Sequence, residues 1–217
     1  MLRDTPLRPR KRPSQQRATA TVEAILEAAA RILEEQGLGG YNTNAIAERA
    51  GVSIGSLYQY FPNKDALTAA LIDRSLREQR LRLAEAAEQS AGLGLAEALV
   101  LFVRAAARHQ MARPTLERTL DFAEGRLTVE PLVAEARLGI WTEARALLER
   151  HAHLLVDDNL DQTTADMLTI ARAMIDDTAA RGETDAEALE RRVVRALLGY
   201  LTQGDLGKST TLPRRIV

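Results

Sequence analysis

The chain has 217 residues, enough for one large domain or two modest ones at roughly 100 to 200 residues each, and burying a core is no obstacle at that length. Its 29 basic and 30 acidic side chains nearly cancel, which argues against a protein working by bulk charge on nucleic acid or membrane and leaves electrostatic work to local patches. Cysteine is absent, so disulfide frameworks, thiolate zinc sites and cysteine nucleophiles are excluded and a cytoplasmic home is expected.

Apolar residues make up 46% of the chain but aromatics only 4%, a helical palette of Ala, Leu, Val and Ile. The first twenty residues carry Arg3, Arg8, Arg10, Lys11, Arg12 and Arg17 against Asp4. Pro6, Pro9 and Pro13 interrupt them, so residues 1–20 read as a flexible basic arm. Such an arm is either a leader without a role or a nucleic-acid contact. No apolar run of a signal peptide follows it, and no stretch reaches the roughly 18 apolar residues of a membrane span. No membrane partner is expected. Between residues 21 and 203 the prolines are Pro62, Pro114 and Pro131, which predicts long helices with few hard stops. Strand-like alternation is not visible, so the fold class is all-α with about nine helices.

The first helix is predicted over about residues 21–36. Val22, Ile25, Leu26, Ala29, Ile32 and Leu33 keep the spacing of one apolar stripe, and Gly37 suits the left-handed residue that ends a helix. A short second helix follows, with Asn42 as N-cap and Tyr41 placed to staple onto Ile46, and ends at Gly51. Ser53 can cap an equally short third helix.

Two short helices joined by a glycine-bearing turn form a helix-turn-helix, whose second helix lies in the DNA major groove. Ile46, Ala47 and Ala50 can pack on Val52, Leu57 and Phe61 beyond the turn. The other side presents Ile54, Gly55, Ser56, Tyr58, Gln59 and Tyr60, where a solitary globular helix should show charges. Hydroxyls, an amide and aromatic rings suit base edges, thymine methyls and phosphates instead, and small Gly55 and Ser56 let the backbone approach a duplex. Four of the chain's eight aromatic residues fall at Tyr41, Tyr58, Tyr60 and Phe61. Phe61 is read as core; Tyr58 and Tyr60 are either core or contact residues. Asn63 can cap a fourth helix, which puts Lys64 at the positive end of its dipole. That misfit becomes sensible if a phosphate sits on the lysine and the free amides together; otherwise Lys64 is a tolerated surface cation.

With residues 42–53 (Asn42 to Ser53) and 57–67 (Leu57 to Leu67) at this spacing, the stretch from residue 21 to about 71 resembles the DNA-binding domain of TetR-family transcriptional regulators. The resemblance implies a dimeric regulator, usually a repressor, that binds operator DNA and is released by a small-molecule effector bound in a larger helical domain. It implies a phosphate contact from Thr43 and a recognition surface of Ser53, Ile54, Gly55, Ser56, Tyr58, Gln59 and Tyr60. Lys64 falls where a fourth-helix lysine meets phosphate. Asn42 departs from a frequent Thr of the family and should cap equally well. Ile54 offers no hydrogen bond, so readout there reduces to a methyl contact.

The expected organisation is an arm at 1–20, a helix-turn-helix domain at 21–66, a helical effector-binding and dimerisation domain at 67–203 and a flexible tail at 204–217. Beyond the head, helices are expected over about 65–89, 95–110, 114–122, 131–153, 163–180 and 185–203, with Pro114 and Pro131 in first turns. The last two should form the dimer surface through Met167, Ile170, Met174, Val193, Val194, Leu197, Leu198 and Leu201, because the final helix is apolar on two sides and needs a second partner. Twofold pairing would give an isologous four-helix interface and an inverted-repeat operator.

Candidate cavity-lining residues are the scarce large side chains Phe102, Met111, Phe122, Trp141 and Met167, with His109, Glu117, Asp121 and Arg137 as polar neighbours. His151 and His153 are two apart and point in different directions on a helix, a poor metal pair; no metal site or cofactor is expected. A helical enzyme would need a phosphate loop, a nucleophile elbow or a zinc-binding HExxH helix, and none is present. The chain is therefore not read as an enzyme, and the alternative is a helical ligand-binding or interaction protein without operator-specific DNA binding.

Overall fold

The computed structural model describes residues 16–202. They form nine α-helices, with no strand among the described residues: α1 (Gln16–Gly40), α2 (Thr43–Arg49), α3 (Ile54–Tyr60), α4 (Lys64–Gln89), α5 (Leu95–Ala112), α6 (Pro114–Glu124), α7 (Glu130–Arg150), α8 (Leu160–Ala180) and α9 (Ala186–Thr202). The basic arm falls outside the described residues except for 16–20, which are already helical, and the expected tail at 204–217 lies outside them entirely.

Most helix ends follow from local chemistry. Gly37, at φ 60° and ψ −163°, breaks α1 where a left-handed residue is expected, and a last turn runs on to Gly40. Asn42, Ser53 and Asn63 each accept a hydrogen bond from a backbone amide three residues on, at 2.9, 3.0 and 2.7 Å, so the three expected caps start α2, α3 and α4. Two starts differ from expectation. α1 is already helical at Gln16, the first described residue and five before the expected start. α8 opens at Leu160, with Asn159 accepting from the Gln162 amide. α7 stops at Arg150 and a single 3-10 turn, Ala152–Leu154, follows it. Buried His151 makes that break, with one ring nitrogen on the Leu147 carbonyl at 2.9 Å and the other on the Leu93 carbonyl at 3.1 Å.

Two hydrophobic cores result. The first gathers α1, α2, α3 and the opening turns of α4 around Ile25, Ile46, Leu57, Phe61 and Leu67, and takes in Leu116 and Leu120 of α6, with Val129 and Val133 at the start of α7. The second joins α5, α7, α8 and α9 around Leu99, Phe102, Leu147, Met167 and Leu197 and includes Leu83 from the far half of α4. α4 therefore belongs to both, packing chiefly on α5 and α7. The head is thus not cut from the body at residue 66: α6 shares its core.

α9 is apolar on two sides, as expected, but only one side is free. Leu189, Val193, Leu197 and Leu201 form an i, i+4 stripe that is essentially solvent-free inside the subunit. Met167 of α8 is buried there too. Met167, Val193, Leu197 and Leu201, expected on the dimer surface, are therefore core residues of the single chain. Ile170, Met174 and Leu198 are half-buried; Val194 is buried at the edge of the second core and lines, with Leu198, a shallow outer groove that includes Val100, Glu190, Arg191, Arg195 and Gly199.

Candidate nucleic-acid interface and body cavity

The α2–α3 unit is fixed from beneath. Ile46, Ala47, Leu57 and Phe61 are buried in the first core, and Ala50 and Val52 pack against it. Gly51, at φ 65°, takes the left-handed turn between the helices. The Val52 amide reaches back to the Ala47 carbonyl at 3.0 Å, closing that turn.

What remains outward is an uncharged face. Ser53, Ile54, Gly55, Tyr58 and Gln59 are exposed, and Ser56 is half-buried. Tyr58 stays 41% exposed while its hydroxyl meets the Thr43 hydroxyl at 3.0 Å, so the first turn of α2 and the middle of α3 present two hydroxyls side by side. Tyr60 differs: it is half-buried and packs on the first core. Ser53 and Ser56 spend part of their bonding on each other, with the Ser53 oxygen accepting the Ser56 amide and the two hydroxyls 3.1 Å apart.

Lys64 is exposed in the first turn of α4, with its ammonium 5.8 Å from the centre of the Tyr41 ring, a cation–π distance. Tyr41 is buried, its hydroxyl accepts from Thr68 at 3.3 Å, and burial raises its phenol above the ordinary range. Lys64 is thus aimed by a ring that the sequence suggests only as a hydrophobic staple.

Sequence reading also misses the head–body clamp. Arg113, between α5 and α6, donates to both carboxylate oxygens of Glu34 at 2.7 and 2.6 Å and to Glu27 at 3.1 Å. These bonds hold Glu34 below the ordinary glutamate range and Arg113 above its own. Nothing in the sequence marks Arg113 out, because its partners lie 79 and 86 positions away.

The body holds a cavity of about 590 Å³ between α4, α5, α6, α7 and α8. Phe102 and Trp141 line it, as do His109, Glu117, Asp121 and Arg137. Met111, Phe122 and Met167 do not: Met111 packs on the second core, Met167 is buried in it, and Phe122 is 55% exposed with Arg126 over its ring. Inside the wall, a hydrogen-bonded chain crosses three helices. Arg82 of α4 lies 2.8 Å from His109 Nδ1, His109 Nε2 lies 2.9 Å from the Ser75 hydroxyl, and that hydroxyl donates to Glu117 at 2.6 Å. Arginine only donates, so Nδ1 accepts and the Nε2 proton goes to Ser75. The His109 ring in this arrangement brings no positive charge to Glu117. Toward the mouth, Arg137 pairs with Glu124, and Arg172 bridges Asp121 at 2.9 Å and Asp176 at 3.4 Å. Burial first, then the Asp121 charge, pushes the Asp176 carboxyl up.

Residues 25–71 match the family model described as bacterial regulatory proteins of the tetR family. Over 77 residues the chain is 40% identical to the HTH-type transcriptional regulator TtgR of Pseudomonas putida, a match spanning 36% of each chain. Over 68 residues it is 35% identical to the HTH-type transcriptional regulator EthR of Mycobacterium tuberculosis, spanning 31% of this chain and 32% of EthR. The chain spans only about a third of the length of these relatives. The fold extends further: FadR of Bacillus subtilis, solved in complex with stearoyl-CoA, superposes with a TM-score of 0.70 at 17% identity, covering 82% of this chain and 98% of FadR. The TetR family regulator PfmR of Thermus thermophilus gives 0.65 at 22% identity, covering 80% and 96%.

Proposed function

We propose that this chain, whose residues 25–71 are a TetR-family helix-turn-helix domain, is a dimeric, ligand-responsive transcriptional repressor that binds an inverted-repeat operator. The observation that carries the reading is the exposed, uncharged face of α3, with Tyr58 hydrogen-bonded to Thr43. A helix surface of this kind gains little from water alone, and its groups match groove edges and phosphates. Ser53, Ile54, Gly55, Ser56, Tyr58 and Gln59 face the bases, Tyr60 contributes only through its rim, and Thr43, Tyr58 and Lys64 hold phosphates.

Dimerisation through the outer faces of α8 and α9, at Ile170, Met174, Val194 and Leu198, would set two such heads in successive major grooves about 34 Å apart. The cavity takes the effector. α4 runs from Lys64 at the DNA to Leu83 beside the cavity, so occupancy shifts the population of head spacings away from the one that fits the operator.

Footprinting on the DNA upstream of the protein's own gene tests the reading, with an inverted repeat protected as the expected result. Salt-independent or sequence-indifferent binding would defeat it. Lys64→Ala should weaken binding across all sequences and lower the salt slope by about one. Leu198→Arg should convert a dimer to a monomer in sedimentation and remove operator binding while the chain stays folded.

A further inference from the structure

The cavity's charge is not balanced. Among its lining residues Glu117, Asp121, Glu124 and Asp176 face only two guanidiniums, Arg137 and Arg172. Arg137 is taken by Glu124. Arg172 is divided between Asp121 and Asp176. Glu117, nine-tenths buried, receives a neutral hydroxyl from Ser75 and stands 3.6 Å from an imidazole nitrogen whose proton goes to that same hydroxyl. A buried carboxylate without a cation in direct contact is costly; Glu117 is one, linked to the Arg82 guanidinium only through Ser75 and His109, and the lining as a whole carries two more carboxylates than guanidiniums. The rest of the wall is apolar and aromatic, including Leu76, Phe102, Trp141 and Leu168.

We infer that the cavity is built for a hydrophobic cation: an amine, quaternary ammonium or similar ligand of drug size, its charge answered by Glu117 and the Asp121–Asp176 pair and its body by the aromatic wall. This inference deepens the ligand-responsive reading above and rests on it. Such a ligand supplies the missing charge, and the aromatic wall of Trp141, whose ring also carries Arg145 at 5.8 Å, and Phe102 can add cation–π attraction. The Asp176 carboxyl is raised by burial first and then by the Asp121 charge, against the pull of Arg172. An acyl-CoA, the ligand in the Bacillus subtilis FadR structure, would bring several negative charges into an already negative cavity. The shared fold does not carry that ligand over.

Trp141 is the chain's single tryptophan and lines the cavity, so its emission reports occupancy of the full-length protein directly. Three probes separate the chemistries: tetraphenylphosphonium, its near-isosteric anion tetraphenylborate, and stearoyl-CoA. The phosphonium should change Trp141 emission saturably, with the two anions at least tenfold weaker. Glu117→Gln and Asp176→Asn should each weaken the phosphonium by about tenfold, whereas Arg172→Gln should tighten it. The opposite signs separate electrostatics from misfolding, which would weaken binding in every variant. Equal or tighter binding of either anion, no response to the phosphonium, or weakening by Arg172→Gln would overturn the assignment.

The same titrations on protein bound to its upstream DNA keep the two readings apart. Phosphonium that fills the cavity without loosening the DNA would refute ligand responsiveness and leave the charge assignment standing. Release of DNA by stearoyl-CoA alone would do the reverse.

Discussion

Head and body differ in how far local caps start their helices. In the head, α2, α3 and α4 each begin at a residue whose side chain caps a backbone amide. In the body, α5, α6 and α7 begin without a side-chain cap bond to a helix amide, while α8 and α9 have one, from Asn159 and Asp185. Helices of seven residues are too short to form on propensity alone and need local signals as well as packing. Helices of 18 or 21 residues bury enough of one face to be positioned by their neighbours. The candidate surfaces divide the same way. The head's is a contiguous stretch facing solvent, whereas the body's cavity is assembled from side chains between Ile72 and Asp176.

The largest effects are expected where this contrast is tested through the cores. Phe61 is 1% exposed, and Phe61→Ala should cost about 3–5 kcal/mol. If the head were an independent module, calorimetry would show it melting separately, ahead of an unchanged body. Because Leu116, Leu120, Val129 and Val133 belong to the head's core, a single cooperative transition at lower temperature is expected instead. Two resolved transitions would restore the boundary at residue 66.

A smaller effect falls on the clamp between the regions. Arg113→Ala removes the ion pairs to Glu34 and Glu27 and should cost about 1–2 kcal/mol at neutral pH, trimmed by solvent because the groups are only partly buried. Glu34 is held below its ordinary value, so its contribution is complete above the unfolded glutamate value of about 4.3 and is lost as pH falls through the lowered folded value. The stability gap between wild type and Arg113→Ala should therefore be widest near pH 7 and close in strong acid. A gap that persisted or widened there would show that Arg113 acts through packing rather than charge.

These two tests also mark where the sequence is informative. Asn42, Ser53, Asn63, Gly37 and Gly51 act within three or four residues of themselves, so their roles are legible from spacing. The exposed face of α3 is legible because a short helix with no charges outward is rare. The cavity is not: Phe102 and Trp141 line it while Met111, Phe122 and Met167 do not, a distinction of a fraction of a helical turn that depends on how α5, α6 and α8 rotate in the packed body. α9 shows the same limit. Two apolar faces are visible in its sequence, but which one the subunit buries is decided by contact with α5 and α8, and that places Val193, Leu197 and Leu201 inward.

The smallest effect separates position from charge at the DNA. Asn63 accepts the Ala66 amide at 2.7 Å, and Asn63→Ala should cost about 1 kcal/mol of stability, as cap removals do. Its effect on DNA binding should differ in kind from that of Lys64→Ala. Without the cap the first turn of α4 frays, so Lys64 must be re-ordered on binding and affinity falls, yet its charge still reaches the phosphate and releases the same counterions. Affinity should therefore drop several-fold with the salt slope unchanged. Removing the lysine takes one unit from the slope. An equal loss of slope in Asn63→Ala would mean that the ammonium is placed by the cap alone, and that its position over the Tyr41 ring contributes nothing to holding it at the DNA.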